Sequence, residues 1–99
     1  MTSLSDIDAF IANNKIAVIS KSYCPYCTKA KKALDKVAKG QYAVLEIEND
    51  GNCANIQAYM KKKTGGSSVP RVFVNRKFIG GGDDTVAKQK SGELARLLA

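Results

Sequence analysis

Cys24-Pro25-Tyr26-Cys27 is the segment of this chain best able to do chemistry, two thiols separated by two residues. Pro25 suits the first position of a helix, which places Cys24 at the N-cap. There a sulfur meets unpaired backbone N–H groups and the positive end of the helix dipole, and both favour thiolate. Lys21, three residues earlier, adds a cation. Such surroundings bring a thiol pKa from ~8.5 into the range of roughly 3.5–7.5. Each pKa unit corresponds to ~1.4 kcal/mol, so the shift turns a mostly protonated thiol into a nucleophile at neutral pH. Cys27 falls one turn inside the helix and is expected to be less exposed. From there it can attack a mixed disulfide formed on Cys24. Position thus divides the labour, with Cys24 the nucleophile and Cys27 the resolving thiol.

Two other readings of the pair are weaker. A zinc site needs about four ligands, and the sequence contains no histidine, leaving only Cys53 and carboxylates to complete one. No metal is expected. The same absence excludes Cys-His and Ser-His catalysis. Three cysteines are too few, and odd in number, for a disulfide framework. Met1 to Asp8 is polar and acidic, so no secretory signal is expected and the cytoplasm is the expected location. Cys53 shares a helical face with Ile56 and Met60 and reads as a small core residue, with glutathionylation or intermolecular pairing as the alternative that its place in the first turn of that helix leaves open.

Those thiols need a scaffold. The chain has 99 residues and 10.6 kDa, with 44% hydrophobic and 25% charged residues, which suits a single domain over residues 1–99. No apolar run approaches the ~18 residues of a membrane span. Lys plus Arg is 16 against 9 Asp plus Glu, a formal charge of +7. Such a balance suits nucleic acid, acidic membrane surfaces or small anionic substrates, but it is also what solvated lysine-rich helix faces produce.

Apolar periodicity sets out the elements. Leu4, Ile7, Phe10 and Ile11 form a helical stripe with Ser3 or Ser5 as N-cap. Ile16 to Ile19 is a continuous apolar run, the mark of a strand buried on both faces. Ala30, Ala33, Leu34, Val37 and Ala38 predict a second helix stopped by Gly40. Tyr42 to Glu48 reads as a strand, and Asn49-Asp50-Gly51 can cap a third helix running to about Lys63. Arg71 to Val74 and Lys77 to Ile79 are strands joined at hairpin length by Asn75-Arg76. Gly80-Gly81-Gly82 then precedes one helical C-terminus. A βαβ unit must be parallel and right-handed, and the hairpin antiparallel. The expected fold is therefore α/β, a four-stranded mixed sheet flanked by helices on both faces. C-x-x-C beside such a unit is the thioredoxin-like redox signature.

Four segments in order resemble the glutaredoxins of the dithiol class over nearly the whole chain. They are Lys21-Ser22-Tyr23-Cys24-Pro25-Tyr26-Cys27; Ile56-Gln57-Ala58-Tyr59 followed by Thr64-Gly65; Ser68-Val69-Pro70-Arg71-Val72-Phe73; and Gly80-Gly81-Gly82-Asp83-Asp84. The resemblance implies a thioredoxin fold and a site for glutathione, an anionic tripeptide, as co-substrate. It implies that Lys21 and Gln57 hold the glycine carboxylate, with Tyr26 beside the same end. Val69 would pair its backbone with the cysteine moiety as an added strand does, and Pro70 would be cis. Asp83, through its N–H, and Asp84 would receive the γ-glutamyl end, with Gly80 and Gly81 leaving room. As a bland alternative, Lys21 and Gln57 are solvated side chains and Asp83-Asp84 only caps a helix.

Three departures stand out. Ser68 replaces the more usual Thr. Gly82 stands where many relatives carry a side chain, which predicts a lost contact and a looser turn. Asn75-Arg76 is a poor hairpin pair, because a type I′ turn wants φ > 0 at both positions. The activity implied is glutathione-dependent thiol–disulfide exchange on protein–glutathione mixed disulfides and protein disulfides, by a monomer without nucleic-acid or membrane partners. An alternative is a [2Fe–2S] carrier bridging two chains through Cys24 and glutathione, against which Pro25 argues. A basic nucleic-acid module using Lys61-Lys62-Lys63 has no supporting motif.

Overall fold

The computed structural model describes residues 1–99. In chain order the elements are α1 (Leu4–Asn13), β1 (Ile16–Ser20), α2 (Pro25–Ala38), β2 (Ala43–Glu46), α3 (Cys53–Thr64), β3 (Arg71–Val74), β4 (Lys77–Gly80), α4 (Gly82–Ser91) and α5 (Glu93–Leu98). The strands form one sheet in the order β2-β1-β3-β4. β1 runs parallel to β2, while the β1–β3 and β3–β4 pairs are antiparallel. This is the expected mixed four-stranded sheet. No helix is long and apolar enough to cross a membrane.

β1 is buried along its whole length, and its side chains alternate between two cores as a strand requires. Ala17 and Ile19 join Ile7, Ile11, Ile47, Ile56, Met60 and Phe73 on the side of α1 and α3. Ile16 and Val18 join Ala30, Leu34, Ala38, Val72, Val74 and Leu94 on the side of α2 and α5. A fully buried Ile or Leu contributes about 1.5–3 kcal/mol, so both layers clamp the strand that leads into the dithiol turn. The helix ends follow local chemistry. Ser3 and Asp6 close a reciprocal capping box on α1, and Gly65, with φ 87°, ends α3.

Two elements differ from expectation. β2 covers Ala43–Glu46 rather than Tyr42 to Glu48, and pairs in register with Ala17 to Ser20 of β1. Beyond it Ile47 N–H closes one last bond to the Ser20 carbonyl, and the chain turns at Asp50. The C-terminal helix is two helices, broken at Gly92 with φ 84°. The Asn75-Arg76 turn has φ 50° and 69°, so both residues occupy the left-handed region that the hairpin demands.

Candidate functional site

The dithiol turn begins where β1 stops. Cys24 is the N-cap of α2 and Pro25 its first residue, as the spacing predicts. Cys24 is half-buried, whereas Cys27 is fully buried, and all three cysteines are free thiols. The Cys24 thiol donates to the Val69 carbonyl at 3.6 Å, so the reactive sulfur lies against the loop that precedes β3. The Val69-Pro70 peptide bond is cis.

The two thiols are differentiated by their surroundings. Burial opposes ionisation of Cys24, but the backbone N–H and thiol of Cys27, the N–H of Tyr26 and the Lys21 charge outweigh it. The net effect brings the Cys24 pKa below its ordinary value. The neutral Cys24 sulfur closes no full cap hydrogen bond; losing its proton frees it from Val69 to accept those amides. Cys27 shifts the other way. Its burial raises the pKa, and contacts from the Ser20 hydroxyl and the Lys21 N–H offset this only in part. One thiol is thus prepared as thiolate and its neighbour kept protonated.

Two groups of polar side chains flank the sulfur. On one side the Lys21 ammonium lies 3.2 Å from Oε1 of Gln57, whose Nε2 donates to the Ser67 carbonyl at 3.0 Å. Cys53 is half-buried against the α1–α3 core, and its thiol reaches the same Oε1 at 3.5 Å. On the other side a cavity of about 350 Å³ is lined by Tyr26, Ser68, Val69, Pro70, Arg71, Gly81, Gly82, Asp83 and Asp84. Cys24 thus meets this cavity through Val69, and the cavity brings together Tyr26, Val69, Pro70, Gly81, Asp83 and Asp84 from three separate stretches of chain.

At the acidic end, the Gly81 N–H donates to one oxygen of Asp84 at 3.1 Å, which caps α4. The other oxygen is free of that bond, so capping and ligand contact are compatible. The Asp83 side chain points outward, 3.8 Å from Lys29, whose ammonium lies over the Tyr26 ring at 5.0 Å. A side chain on residue 80 would collide with Asp84, and Gly80 has φ 135°, so glycine is needed there. Gly81 has no such constraint, since a Cβ would meet only the Pro70 carbonyl at 3.5 Å.

Tyr26 lines the cavity with Asp83 and Asp84, its carbonyl packed against Gly82 at the start of α4. One placement corrects the sequence reading. Gly82 does not loosen the turn. A Cβ there would sit 2.6 Å from the Tyr26 carbonyl oxygen, so its absence lets α4 close onto α2. One lining residue was missed. Arg71 is half-buried, with its guanidinium held by the Ser68 carbonyl at 2.7 Å and hydroxyl at 2.9 Å. Its only signal is a charge opening the otherwise apolar strand Arg71–Val74.

Comparison with known proteins agrees with this geometry. The family model described as Glutaredoxin matches residues 16–79. The chain is 42% identical to a glutaredoxin of Ricinus communis over 88 residues, covering 89% of this chain and 85% of that one. It superposes on the crystal structure of oxidized glutaredoxin 2 from Chlamydomonas reinhardtii with TM-score 0.92 and 51% identity, over 95% of this chain and 88% of that one. The crystal structure of a buckwheat glutaredoxin–glutathione complex superposes with TM-score 0.88 and 34% identity, over 96% and 86% of the two chains.

Proposed function

The chain belongs to the glutaredoxin family of thiol–disulfide oxidoreductases, and on that premise we propose that it uses glutathione to reduce protein–glutathione mixed disulfides and protein disulfides. The observation that carries this reading is the position of the Cys24 sulfur at the start of α2, 3.6 Å from the carbonyl of Val69, which lines the cavity. The solved relative from buckwheat is a glutathione complex, which supports glutathione as the ligand here.

In the first step the Cys24 thiolate attacks the glutathione sulfur of a mixed disulfide. The new bond joins Cys24 to glutathione, and the protein sulfur leaves as thiolate. A second glutathione thiolate then attacks the glutathione sulfur held on Cys24. Glutathione disulfide departs and the Cys24 thiolate returns. With a protein disulfide the intermediate joins Cys24 to the substrate, and Cys27 closes the internal disulfide instead.

Lys21 and Gln57 are assigned to the glycine carboxylate, which their shared contact at 3.2 Å supports. The Val69 backbone pairs with the cysteine moiety, and Pro70 and Gly81 shape the wall beside it. The Asp83 N–H in the first turn of α4 and the free Asp84 oxygen meet the γ-glutamyl carboxylate and ammonium. Tyr26 covers that end. Three free thiols suit a reducing compartment such as the cytoplasm. A [2Fe–2S] cluster bridged by two copies would draw on the same Cys24 sulfur. The chemistry proposed here runs on thiols alone.

The test is glutathione-dependent reduction of a glutathionylated peptide by the wild type, Cys24→Ser and Cys27→Ser. Loss of turnover in Cys24→Ser with activity kept in Cys27→Ser is the expected result. Equal loss in both would make Cys27 obligatory, and an inactive wild type would overturn the reading.

A further inference from the structure

Gly65-Gly66-Ser67-Ser68 leads from the end of α3 to Val69, whose carbonyl meets the Cys24 thiol. Two glycines and two serines give this loop much backbone freedom to lose, so whatever holds it decides where Val69 lies. Three consecutive carbonyls are held from three different elements. The Ser67 carbonyl accepts from Nε2 of Gln57 on α3 at 3.0 Å. The Ser68 carbonyl accepts from Nε of Arg71 on β3 at 2.7 Å. The Val69 carbonyl accepts from the Cys24 thiol at the head of α2, at 3.6 Å.

Of these holds, the one from Arg71 is the firmest. Its guanidinium is a rigid fork, and a second nitrogen donates to Ser68 Oγ at 2.9 Å, so one residue is gripped at two atoms. The backbone of Arg71 is itself anchored in the sheet, opposite Ile19 of β1. The guanidinium lies over the Phe78 ring of β4, 5.2 Å from its centroid. Gly66 completes the seat, because a Cβ there would run into the guanidinium. A merely solvated arginine would be free of all these constraints, and this one is half-buried.

We propose that Arg71 is a positioning residue for the exchange reaction, which through Ser68 aims the Val69 backbone at the glutathione moiety arriving on Cys24. The role rests on the exchange chemistry proposed above, with Val69 as the backbone partner of glutathione. Peptide geometry supplies the link. In a trans peptide the Ser68 carbonyl and the Val69 N–H share one plane and point opposite ways, and the cis bond follows Val69 rather than preceding it. Fixing the Ser68 oxygen therefore fixes the direction of the Val69 N–H.

The need for this grip arises in the reacting state. Cys24 donates to Val69 only as a thiol, yet it attacks as thiolate. The thiolate has no proton to give, and its charge faces the negative end of the carbonyl dipole. The hold from α2 is then lost. Gln57 grips the loop one residue farther back, at Ser67, and Arg71 is what still fixes the peptide next to Val69. Asp84 lines the same cavity and acts on Arg71 by charge. A purely electrostatic role is therefore the rival, and Arg71→Lys separates the two.

The experiment pairs steady-state reduction of a glutathionylated peptide with iodoacetamide alkylation of Cys24, which needs no backbone pairing. Arg71→Ala is expected to raise KM for the peptide about tenfold while kcat stays within about threefold. Cys24 alkylation at neutral pH is expected to remain within about twofold of wild type. Arg71→Lys keeps the charge but not the fork, and should leave KM at least about fivefold raised. Ser68→Ala removes one of the two acceptors. It should raise KM about threefold in the wild type and less than about 1.5-fold in the Arg71→Ala background, where its partner is already gone. Wild-type KM in Arg71→Ala would overturn the role, as would full recovery in Arg71→Lys, which marks a bare charge. Alkylation slowed as much as turnover would overturn it too, since that marks general damage to the fold. If Arg71→Ala does not fold, wild-type KM in both Arg71→Lys and Ser68→Ala overturns it. A wild type with reactive Cys24 but no turnover would instead overturn the exchange reading beneath it.

Discussion

The Lys21 ammonium lies 3.2 Å from Oε1 of Gln57, joining the loop before the dithiol turn to a helix 36 residues further on. The ammonium keeps two donors and a full charge for an incoming carboxylate, whereas the neutral Gln57 amide already spends one of its two N–H groups on Ser67. A hydrogen bond to a charged group contributes about 1.5–3 kcal/mol, and roughly 1.4 kcal/mol is a factor of ten. Lys21→Ala should therefore raise the KM for glutathione about tenfold and Gln57→Ala only a few-fold, read from steady-state kinetics. Unchanged KM in both would remove this end of the site.

The pH dependence of alkylation should separate the two thiols. Burial resists charge on Cys24, but the hydrogen bonds from Cys27 and Tyr26 and the Lys21 charge prevail, so its thiolate persists below the ordinary thiol pKa. Iodoacetamide should modify Cys24 with a rate midpoint under ~8.5, falling away as pH drops through that midpoint. Lys21→Ala should move the midpoint upward by a modest amount, since the hydrogen bonds at the head of α2 remain. Cys27, pushed the other way chiefly by burial, should stay unmodified until well above neutral pH. Mass spectrometry of quenched samples reads both.

Arg76 sits at φ 69° in the β3–β4 turn, with Asn75 beside it at φ 50°. A side chain in the left-handed region costs about 1–2 kcal/mol relative to the ordinary helical region, and glycine avoids it. The Arg76 guanidinium offers only an exposed contact of 3.5 Å to the Ala12 carbonyl in return. Arg76→Gly should stabilise the protein by about 0.5–1 kcal/mol, raising Tm by roughly 2–8 °C. A lower Tm would show that the Ala12 contact matters more than the backbone.

Cys53 is half-buried and touches Gln57, but it is neither at a helix cap nor beside Cys24. Cys53→Ala should keep turnover within about threefold and lower stability by about 1 kcal/mol for the lost packing. Loss of activity comparable to Cys24→Ser would make it a third redox centre.

Much of the site was legible in the sequence because its chemistry is local. Cys24 and Pro25 announce a helix start by themselves, and Gly80 with Asp84 announces a tight approach to the next one. The fold was legible where apolar residues keep an unbroken period, as in Ile16 to Ile19. What escaped was set by partners distant in sequence. Tyr42 looks like strand, but the pairing with β1 begins only at Ala43 opposite Ala17, and the Tyr42 hydroxyl binds Asp35 at 2.7 Å. Gly92 breaks the last helix in a stretch whose lysines mask the stop. Arg71 lines the cavity because Ser68 folds back to hold it, and no local pattern predicts that loop.

The two cores meet only through the sheet, with Ile7 and Phe73 on one face and Leu34 and Val72 on the other. In mechanical terms the sheet is a partition wall, and the dithiol turn hangs from its central strand. A truncation in either room loosens the same wall, so Ile7→Val and Leu34→Val, which share no partners, should lower Tm additively. Each should also leave Cys24 less firmly held. Because β1 borrows its rigidity from both rooms, wear in either one reaches the redox centre.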